Sequence, residues 1–229
     1  MKFSRAILFF FATLLIYLGV PLLGWGLGDL SGFFISAARI GYALTVLLFS
    51  LAVGTQALAS SQGIRGGKGE QGKFVFRQRI VHIVLVLFLY IALFFIPFFD
   101  RRSMFVFGER GFAGWVGVGL SALGFAMIYG SGVALGKQYS ADVTIQAGHQ
   151  LVTKGLYHFI RHPRYLGVIA LSIGASCVFR SWVGLAASVL FIGILLYRIK
   201  DEEALMHKEF GGAWEDYSKR SWRLVPYIY

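Results

Sequence analysis

Residues 155–167 read GLYHFIRHPRYLG, and the rest of the chain is organised around this stretch. His162 precedes a proline, which disfavours helical backbone at that position. Pro163 itself suits the first turn of a helix, because its missing N–H is not needed there. The pattern predicts an extended segment that ends at His162 and a helix that begins at Pro163. The free N–H groups of such a helix start can bind an anion, so we take this stretch as the candidate active site.

Two apolar runs, residues 165–179 and 182–197, follow this stretch and are separated only by Arg180 and Ser181. Each is somewhat short for a full crossing of a bilayer, which takes about 20 helical residues. A tight helical hairpin is predicted, which returns the chain to the face where it began. The tail, residues 198–229, is predicted to be helical at first and to lie as an amphipathic cap in the membrane interface. Its expected anchors are Trp214, Tyr217, Trp222, Tyr227 and Tyr229.

Four longer apolar runs precede the hairpin, at about residues 6–27, 33–59, 80–99 and 112–136. The chain of 229 residues is 57% hydrophobic and only 14% charged, which leaves too little polar surface for a soluble globule. The sequence therefore predicts an all-α polytopic membrane protein with about six membrane helical segments. Residues 1–136 would form a four-span bundle and residues 137–229 a cofactor-binding core, within one integrated domain.

Several local patterns add expectations about the bundle. Arg39, near the start of the second run, is expected to snorkel to the interface. Small residues spaced four apart are expected to form a helix-packing face, namely Ala122, Ala126, Gly130 and Ala134. Residues 142–145 and 150–153 resemble short strands. The single cysteine, Cys177, lies in an apolar run and is expected to be an inert packing residue.

The net charge of +11 is distributed as membrane topology predicts, and no nucleic-acid partner is expected. Of the 22 Lys and Arg residues, 17 fall in segments on one side of the predicted spans and five on the other. By the positive-inside rule, both termini and the candidate site are expected to be cytoplasmic. We expect an integral protein of a prokaryotic cytoplasmic membrane.

A second polar cluster, residues 198–203, lies where the last apolar run ends, on the same side as His162. On a helix, Arg198 and Glu202 are four residues apart and can pair. Glu203 lies about 100° further round and is expected to face elsewhere. The cluster can also be explained without a binding role, as a solvated helix segment. Because the hairpin brings it to the Pro163 helix start, it also suits a ligand that carries both positive and negative charge.

The two clusters share a motif string with a known family. It reads His149-x-Leu151-Val152-x-x-Gly155-x-Tyr157-x-x-x-Arg161-His162-Pro163-x-Tyr165-x-Gly167, then Tyr197-Arg198-Ile199-x-x-Glu202-Glu203, then Phe210-Gly211-x-x-Trp214-x-x-Tyr217. This string resembles the isoprenylcysteine carboxyl methyltransferase family and its relatives, the phospholipid methyltransferases. The resemblance covers roughly residues 138–226. One departure is Trp214, where the family often has tyrosine.

The resemblance implies that S-adenosylmethionine binds at the cytoplasmic face of the hairpin. It implies that His149, His162, Pro163 and Tyr165 line this cofactor, and that Leu151, Val152 and Gly155 hold its adenosine end through backbone contacts. Glu202 or Glu203 would meet its ammonium group or its ribose hydroxyls.

The residue chemistry agrees with this cofactor. Arg161 and the Pro163 helix start suit its carboxylate, and the faces of Tyr157 and Tyr165 suit its sulfonium. Arg161, Arg198 and Glu203 are the candidate catalytic residues. Arg198 either orients an acceptor carboxylate or simply pairs with Glu202.

Several functions remain open from the sequence. The leading one is methylation of a lipid or prenylated acceptor, with an isoprenylcysteine-like carboxylate competing with a phospholipid amine. An amine would need a base, for which Glu203 or His162 could serve. An NADPH-dependent membrane reductase and a non-enzymatic membrane protein are the further alternatives. With one cysteine and no HExxH motif, no metal site is predicted.

Overall fold

Helices account for most of the chain in this computed structural model, which describes residues 2–59, 76–108, 111–136 and 151–229. Their bounds are α1 Lys2–Leu14, α2 Val20–Trp25, α3 Leu30–Phe34, α4 Ala37–Ala59, α5 Phe76–Arg101, α6 Phe112–Leu135, α7 Pro163–Val178, α8 Trp182–Phe210 and α9 Gly212–Lys219. No strand of more than an isolated bridge occurs among the described residues. The all-α prediction is confirmed. The strand-like residues 142–145 lie outside the described residues, and Leu151–Thr153 form no regular element.

Among the described residues, five helical stretches are long and apolar enough to cross a bilayer. The first combines α1, a π-helical turn at Leu15–Gly19 and α2, and it ends at Gly26 with φ +106°. The others are α4, α5, α6 and α8. The 16-residue α7 is shorter, as the sequence predicts for the first arm of the hairpin. The described chain is thus a polytopic helical membrane protein.

The hairpin of α7 and α8 turns at residues 179–181. Arg180 has φ +50°, and the Ser181 Oγ caps α8 by accepting from the Gly184 N–H at 3.0 Å. As predicted for the first part of the tail, the helix continues past Tyr197, and α8 ends at Phe210 because residues 198–210 contain good helix formers and no Gly or Pro before Gly211. Its 29 residues span about 43 Å, which exceeds a hydrocarbon core of about 30 Å. The charged segment from Arg198 onward therefore projects beyond the apolar layer.

Close packing of α6 on α7 holds the hairpin against the bundle. A Cβ atom on Gly124 of α6 would lie 2.5 Å from the carbonyl oxygen of Gly167 on α7, so the two backbones touch. The predicted packing face was wrong at Ala122 and Ala126, which are exposed. Its other half does pack, since Gly130 lies against Leu156 and Ala134 lies near Gly155. Small residues occur nearly all round α6, so their spacing alone could not show which face meets the glycines of α7.

A buried ion-pair cluster lies at the opposite end of the bundle from residues 155–167. Asp100, at the end of α5, has no exposed surface and accepts from Arg39 Nη1 at 2.8 Å and from Arg180 Nη2 at 2.7 Å. The expectation that Arg39 snorkels was wrong, since its side chain is only 1% exposed. Arg39 also donates to the backbone carbonyls of Phe33 and Gly32, both at 2.8 Å. The buried guanidinium of Arg39 thus has protein oxygens as hydrogen-bond acceptors in place of water.

Candidate active site

The backbone around His162 joins the start of α7 to the tail of the chain. His162 precedes α7 with φ −124°, and Pro163 is the first helical residue, as predicted. The Arg161 N–H donates to the Trp222 carbonyl at 2.7 Å, and the His162 N–H donates to the Arg223 carbonyl at 3.1 Å. The tail therefore runs beside the site as one of its walls.

The imidazole of His162 lies between the two glutamates of α8. Its Nδ1 is 3.7 Å from Glu202 Oε2, and its Nε2 is 3.3 Å from Glu203 Oε1. Its ring stacks on the ring of Tyr165, with centroids 5.7 Å apart and planes 15° apart. Glu202 and Glu203 point to different partners, as the helical spacing predicts, but the side chain of His162 lies between them and contacts both.

Glu203 is the most strongly held carboxylate of the site. Its Oε1 accepts from Arg161 Nε at 2.9 Å. Its Oε2 lies 2.7 Å from Arg223 Nε, at an angle too bent for a hydrogen bond but suited to an ion pair. Burial raises the pKa of Glu203, but hydrogen bonds from His162 and Arg161 outweigh burial and lower the pKa to about 2. Glu203 is therefore a carboxylate at neutral pH and a weak base.

Glu202 forms a separate group with Arg198 and Tyr165. Arg198 Nε donates to Glu202 Oε1 at 2.9 Å, which is the pair predicted from their spacing. The Tyr165 hydroxyl donates to the same oxygen and accepts from Arg198 Nε at 2.8 Å. Arg198 is only 4% exposed. This group lies where the apolar part of α8 ends, so it marks the border between the membrane interior and the polar site.

Arg161 has partners that the sequence did not suggest. Besides Glu203, its guanidinium donates through Nη1 to the backbone carbonyls of Ser218, at 2.8 Å, and Ser221. Two of the three guanidinium nitrogens, Nε and Nη1, thus donate hydrogen bonds to protein atoms. The geometry favours a role in fixing Glu203 and the tail over the expected direct contact with a ligand carboxylate.

The other expected cofactor residues lie on the approach to α7. Gly155 has φ +64° and begins a 3₁₀ turn, Gly155–His158. The Tyr157 carbonyl accepts from the Tyr217 hydroxyl at 2.6 Å, so this turn is fastened to the tail. Leu151 and Val152 are half-buried in irregular backbone that leads to the turn. His149 lies outside the described residues.

The tail differs from the predicted interfacial cap. Trp214 and Tyr217 are buried at 7% and 5% exposure, so they pack inside the protein rather than in the lipid interface. Trp222 and Tyr227 are exposed, with ring centroids 5.2 Å apart. Sequence reasoning also missed Arg223 as a site residue. The available signal was a single arginine between apolar residues of an aromatic-rich tail.

An apolar cluster adjoins the polar site on the membrane side. Leu85, Phe191 and Leu195 form its buried centre, and Tyr165 packs against it. Further along α5, α7 and α8, a small cavity of about 30 Å³ is lined almost entirely by apolar residues, including Phe88, Leu171 and Phe191. Tyr165 therefore contacts both the apolar cluster and, through its hydroxyl, the ionic groups of Arg198 and Glu202.

Two carboxylates and an aromatic pair of the site can meet cationic groups of a ligand. The anion site expected at the start of α7 is largely filled, because Pro163 has no N–H and the Tyr165 and Leu166 N–H groups donate to the His162 carbonyl at 3.1 and 3.2 Å. Within the described part of the chain, no group of three or more His, Cys, Asp or Glu residues is placed to hold a metal ion.

Residues 117–208 match the model of the Isoprenylcysteine carboxyl methyltransferase (ICMT) family, a range that contains α7, the hairpin turn and both glutamates. Over this range, the chain is similar to the ICMT family. The match begins inside α6, upstream of the predicted boundary at residue 137.

Curated proteins of two kinds are similar to this chain. A Protein-S-isoprenylcysteine O-methyltransferase of Schizosaccharomyces pombe is 30% identical over 127 residues, which cover 47% of this chain and 49% of that protein. A Delta(14)-sterol reductase of Mus musculus is 32% identical over 85 residues, which cover 36% of this chain and 20% of that protein. The chain thus matches about half or less of the length of these relatives. A solved structure of the eukaryotic intramembrane Ras methyltransferase ICMT superimposes with a TM-score of 0.48 at 17% identity, covering 99% of this chain and 95% of that one.

Proposed function

We propose that this protein is an integral-membrane methyltransferase that uses S-adenosylmethionine to methylate the carboxylate of an isoprenylcysteine-like lipid. The observation that carries the proposal is the position of Tyr165. Its ring packs on the apolar cluster of α5, α7 and α8, and its hydroxyl bonds to Arg198 and Glu202. A lipid tail in the apolar layer would therefore place its head group at the ionic groups. The ICMT-family match supports the same reaction.

S-adenosylmethionine, when bound, supplies an electrophilic methyl group on a positively charged sulfur. We assign its ammonium group or ribose hydroxyls to Glu202 and Glu203. The stacked rings of His162 and Tyr165 offer a surface for the sulfonium. Leu151, Val152 and Gly155 would hold the adenosine end by backbone contacts, with Tyr157 beside them. His149 is assigned to the same pocket by its motif alone.

A carboxylate acceptor fits the site better than an amine. The carboxylate attacks in its ionised form, so no residue has to remove a proton. An amine acceptor would need a base, and Glu203, with its pKa lowered to about 2, is poorly suited to that role. We assign Arg198 to orient the acceptor carboxylate, because it lies buried at the border of the apolar layer.

The protein residues then act by alignment and by exclusion of water. Arg161 holds Glu203, His162 separates the two glutamates, and the tail closes one side of the site. Alignment of two reactants can lower a barrier by about 7–11 kcal/mol in favourable cases. We propose that residues 137–229 carry this chemistry and that the bundle of residues 1–136 supports them.

We also propose that the site faces the cytoplasm, because 17 of the 22 Lys and Arg residues lie in segments on its side of the predicted spans. In a Cys177→Ser background, a cysteine at the exposed position Glu215 should stay unlabelled by an impermeant maleimide in intact cells. A cysteine at the exposed position Ser103, at the opposite end of the bundle, should be labelled. The reverse pattern would overturn the orientation.

A second candidate function is a nicotinamide-dependent reductase, because of the similarity to the mouse Delta(14)-sterol reductase. Thermal unfolding of the purified protein with S-adenosylhomocysteine or NADPH separates the two. Ligand at 100 times its dissociation constant stabilises a protein by about 2.7 kcal/mol. We expect the melting temperature to rise with S-adenosylhomocysteine and to stay unchanged with NADPH. A rise with NADPH alone would favour the reductase.

A further inference from the structure

The segment of residues 222–229 is built into the wall of the site. The Trp222 N–H donates to the Phe159 carbonyl at 2.8 Å, beside the two bonds that join the segment to Arg161 and His162. The segment then folds back on itself, since the N–H groups of Leu224 and Val225 donate to the Tyr229 carbonyl at 2.8 and 3.1 Å. Leu224 is only 4% exposed, which anchors this turn.

Arg223 points from this wall to the site carboxylate. Its Nε lies 2.7 Å from Glu203 Oε2, whereas Arg161 and His162 meet the other oxygen, Oε1. Its Nη1 donates to the Tyr229 hydroxyl at 2.8 Å, and its guanidinium carbon lies 4.9 Å from the centre of the Tyr229 ring. Tyr229 thus restricts a side chain that would otherwise have many rotamers.

We propose that Arg223 is a positioning residue, which Tyr229 holds in place and which fixes the orientation of the Glu203 carboxylate toward the cofactor. The inference rests on the proposed function. With partners on Oε1 alone, the Glu203 carboxylate could still rotate about its Cγ–Cδ bond. The contact of Arg223 with Oε2 restricts that rotation. Correct orientation matters because a misplaced charged group loses most of a directional bond with its ligand.

A purely structural role would give a different result. Arg223 is 34% exposed, and ion pairs of such exposure contribute little to stability. Losing the contact should therefore leave the fold intact and act on cofactor affinity. Arg220 offers a matched control, since it lies three residues away and its exposed side chain donates to the backbone carbonyl of Asp216 on α9 at 3.1 Å.

The test compares Arg223→Gln, Arg223→Lys, Tyr229→Phe and Arg220→Gln with the parent. Calorimetry with S-adenosylhomocysteine and steady-state kinetics give the affinity, KM and kcat. For Arg223→Gln we expect the dissociation constant and the KM for S-adenosylmethionine to rise about tenfold, with kcat and melting temperature close to the parent's. Arg223→Lys should recover part of the affinity because it keeps a cation near Oε2. Tyr229→Phe should show a smaller loss, and Arg220→Gln none.

Two results would overturn the inference, and they are distinguishable. Equal affinities for Arg223→Gln and Arg220→Gln would remove Arg223 from the site while the parent still binds the cofactor. A parent protein that binds no S-adenosylhomocysteine would overturn the proposed function, and the role of Arg223 with it.

Discussion

Replacing Glu203 with Gln should lower methyl transfer by roughly 100-fold while the protein stays folded in the membrane. A hydrogen bond to a charged group contributes about 1.5–3 kcal/mol, which corresponds to roughly 10- to 150-fold in affinity or rate. The variant loses the carboxylate charge that we assign to the cofactor, and this is the same charge that contacts His162. Arg161 keeps its bonds to the Ser218 and Ser221 carbonyls, which should preserve the tail contact. The measurement is turnover of labelled S-adenosylmethionine in membranes with matched expression.

The matched control is Glu215→Gln, which breaks an exposed pair with His207 and should leave turnover unchanged. Glu202→Gln is the companion variant, because Glu202 holds Tyr165 and Arg198 at the membrane border. If neither glutamate variant lowers turnover below that of the Glu215→Gln control, the two carboxylates are only surface charge.

The pH dependence of stability gives an independent check on the same carboxylate. A pKa lowered from 4.5 to about 2 means that ionised Glu203 stabilises the fold fully above about pH 4.5. This contribution is lost as the pH falls toward 2. Between pH 5 and 8 the titration of Glu203 itself should therefore add no pH dependence to the stability measured by thermal unfolding.

Replacing Asp100 with Asn should cause the largest loss of stability, about 3–5 kcal/mol in the free energy of unfolding. The substitution leaves Arg39, at 1% exposure, without the carboxylate that balances its charge, and it weakens the hold of Arg180 on the hairpin turn. Thermal unfolding in detergent measures the effect. S-adenosylhomocysteine affinity, measured well below the melting temperature, should stay near the parent's, because the site lies at the other end of the bundle.

Asp29→Asn serves as the control for Asp100. Asp29 is 37% exposed and lies 3.5 Å from Arg101, and an Asn there can still cap α3 by accepting from the Gly32 N–H. It should cost less than about 1 kcal/mol. Equal losses in the two variants would contradict a special role for the buried cluster.

Features encoded by neighbouring residues could be predicted from the sequence. Pro163 set the start of α7, and the Arg180–Ser181 break set the hairpin turn, because each depends on local backbone preference. The pair of Arg198 and Glu202 followed from helical spacing.

Features that depend on distant partners could not be predicted. The partner of Arg39 is 61 residues away along the chain, and no local pattern indicates that pair. The convergence of Glu203 on His162 depends on how α8 is rotated against α7. Arg223 reaches the site because of a tail path that the sequence does not mark. Packing sets how the helices are rotated against each other and which distant residues pair. Hydrophobic periodicity predicts only which face of a helix is buried.

The most direct test of the central claim is the chemical form of the transferred methyl group. Membranes containing the protein would receive methyl-labelled S-adenosylmethionine and one of four acceptors: S-farnesylcysteine with a free carboxylate, its carboxamide, unprenylated cysteine or phosphatidylethanolamine. We predict label that mild base releases as methanol, as from a methyl ester, with the prenylated free carboxylate alone, and loss of that label in Glu203→Gln. Base-stable label on phosphatidylethanolamine, or no label on any acceptor while NADPH is consumed with a sterol, would contradict the proposed function.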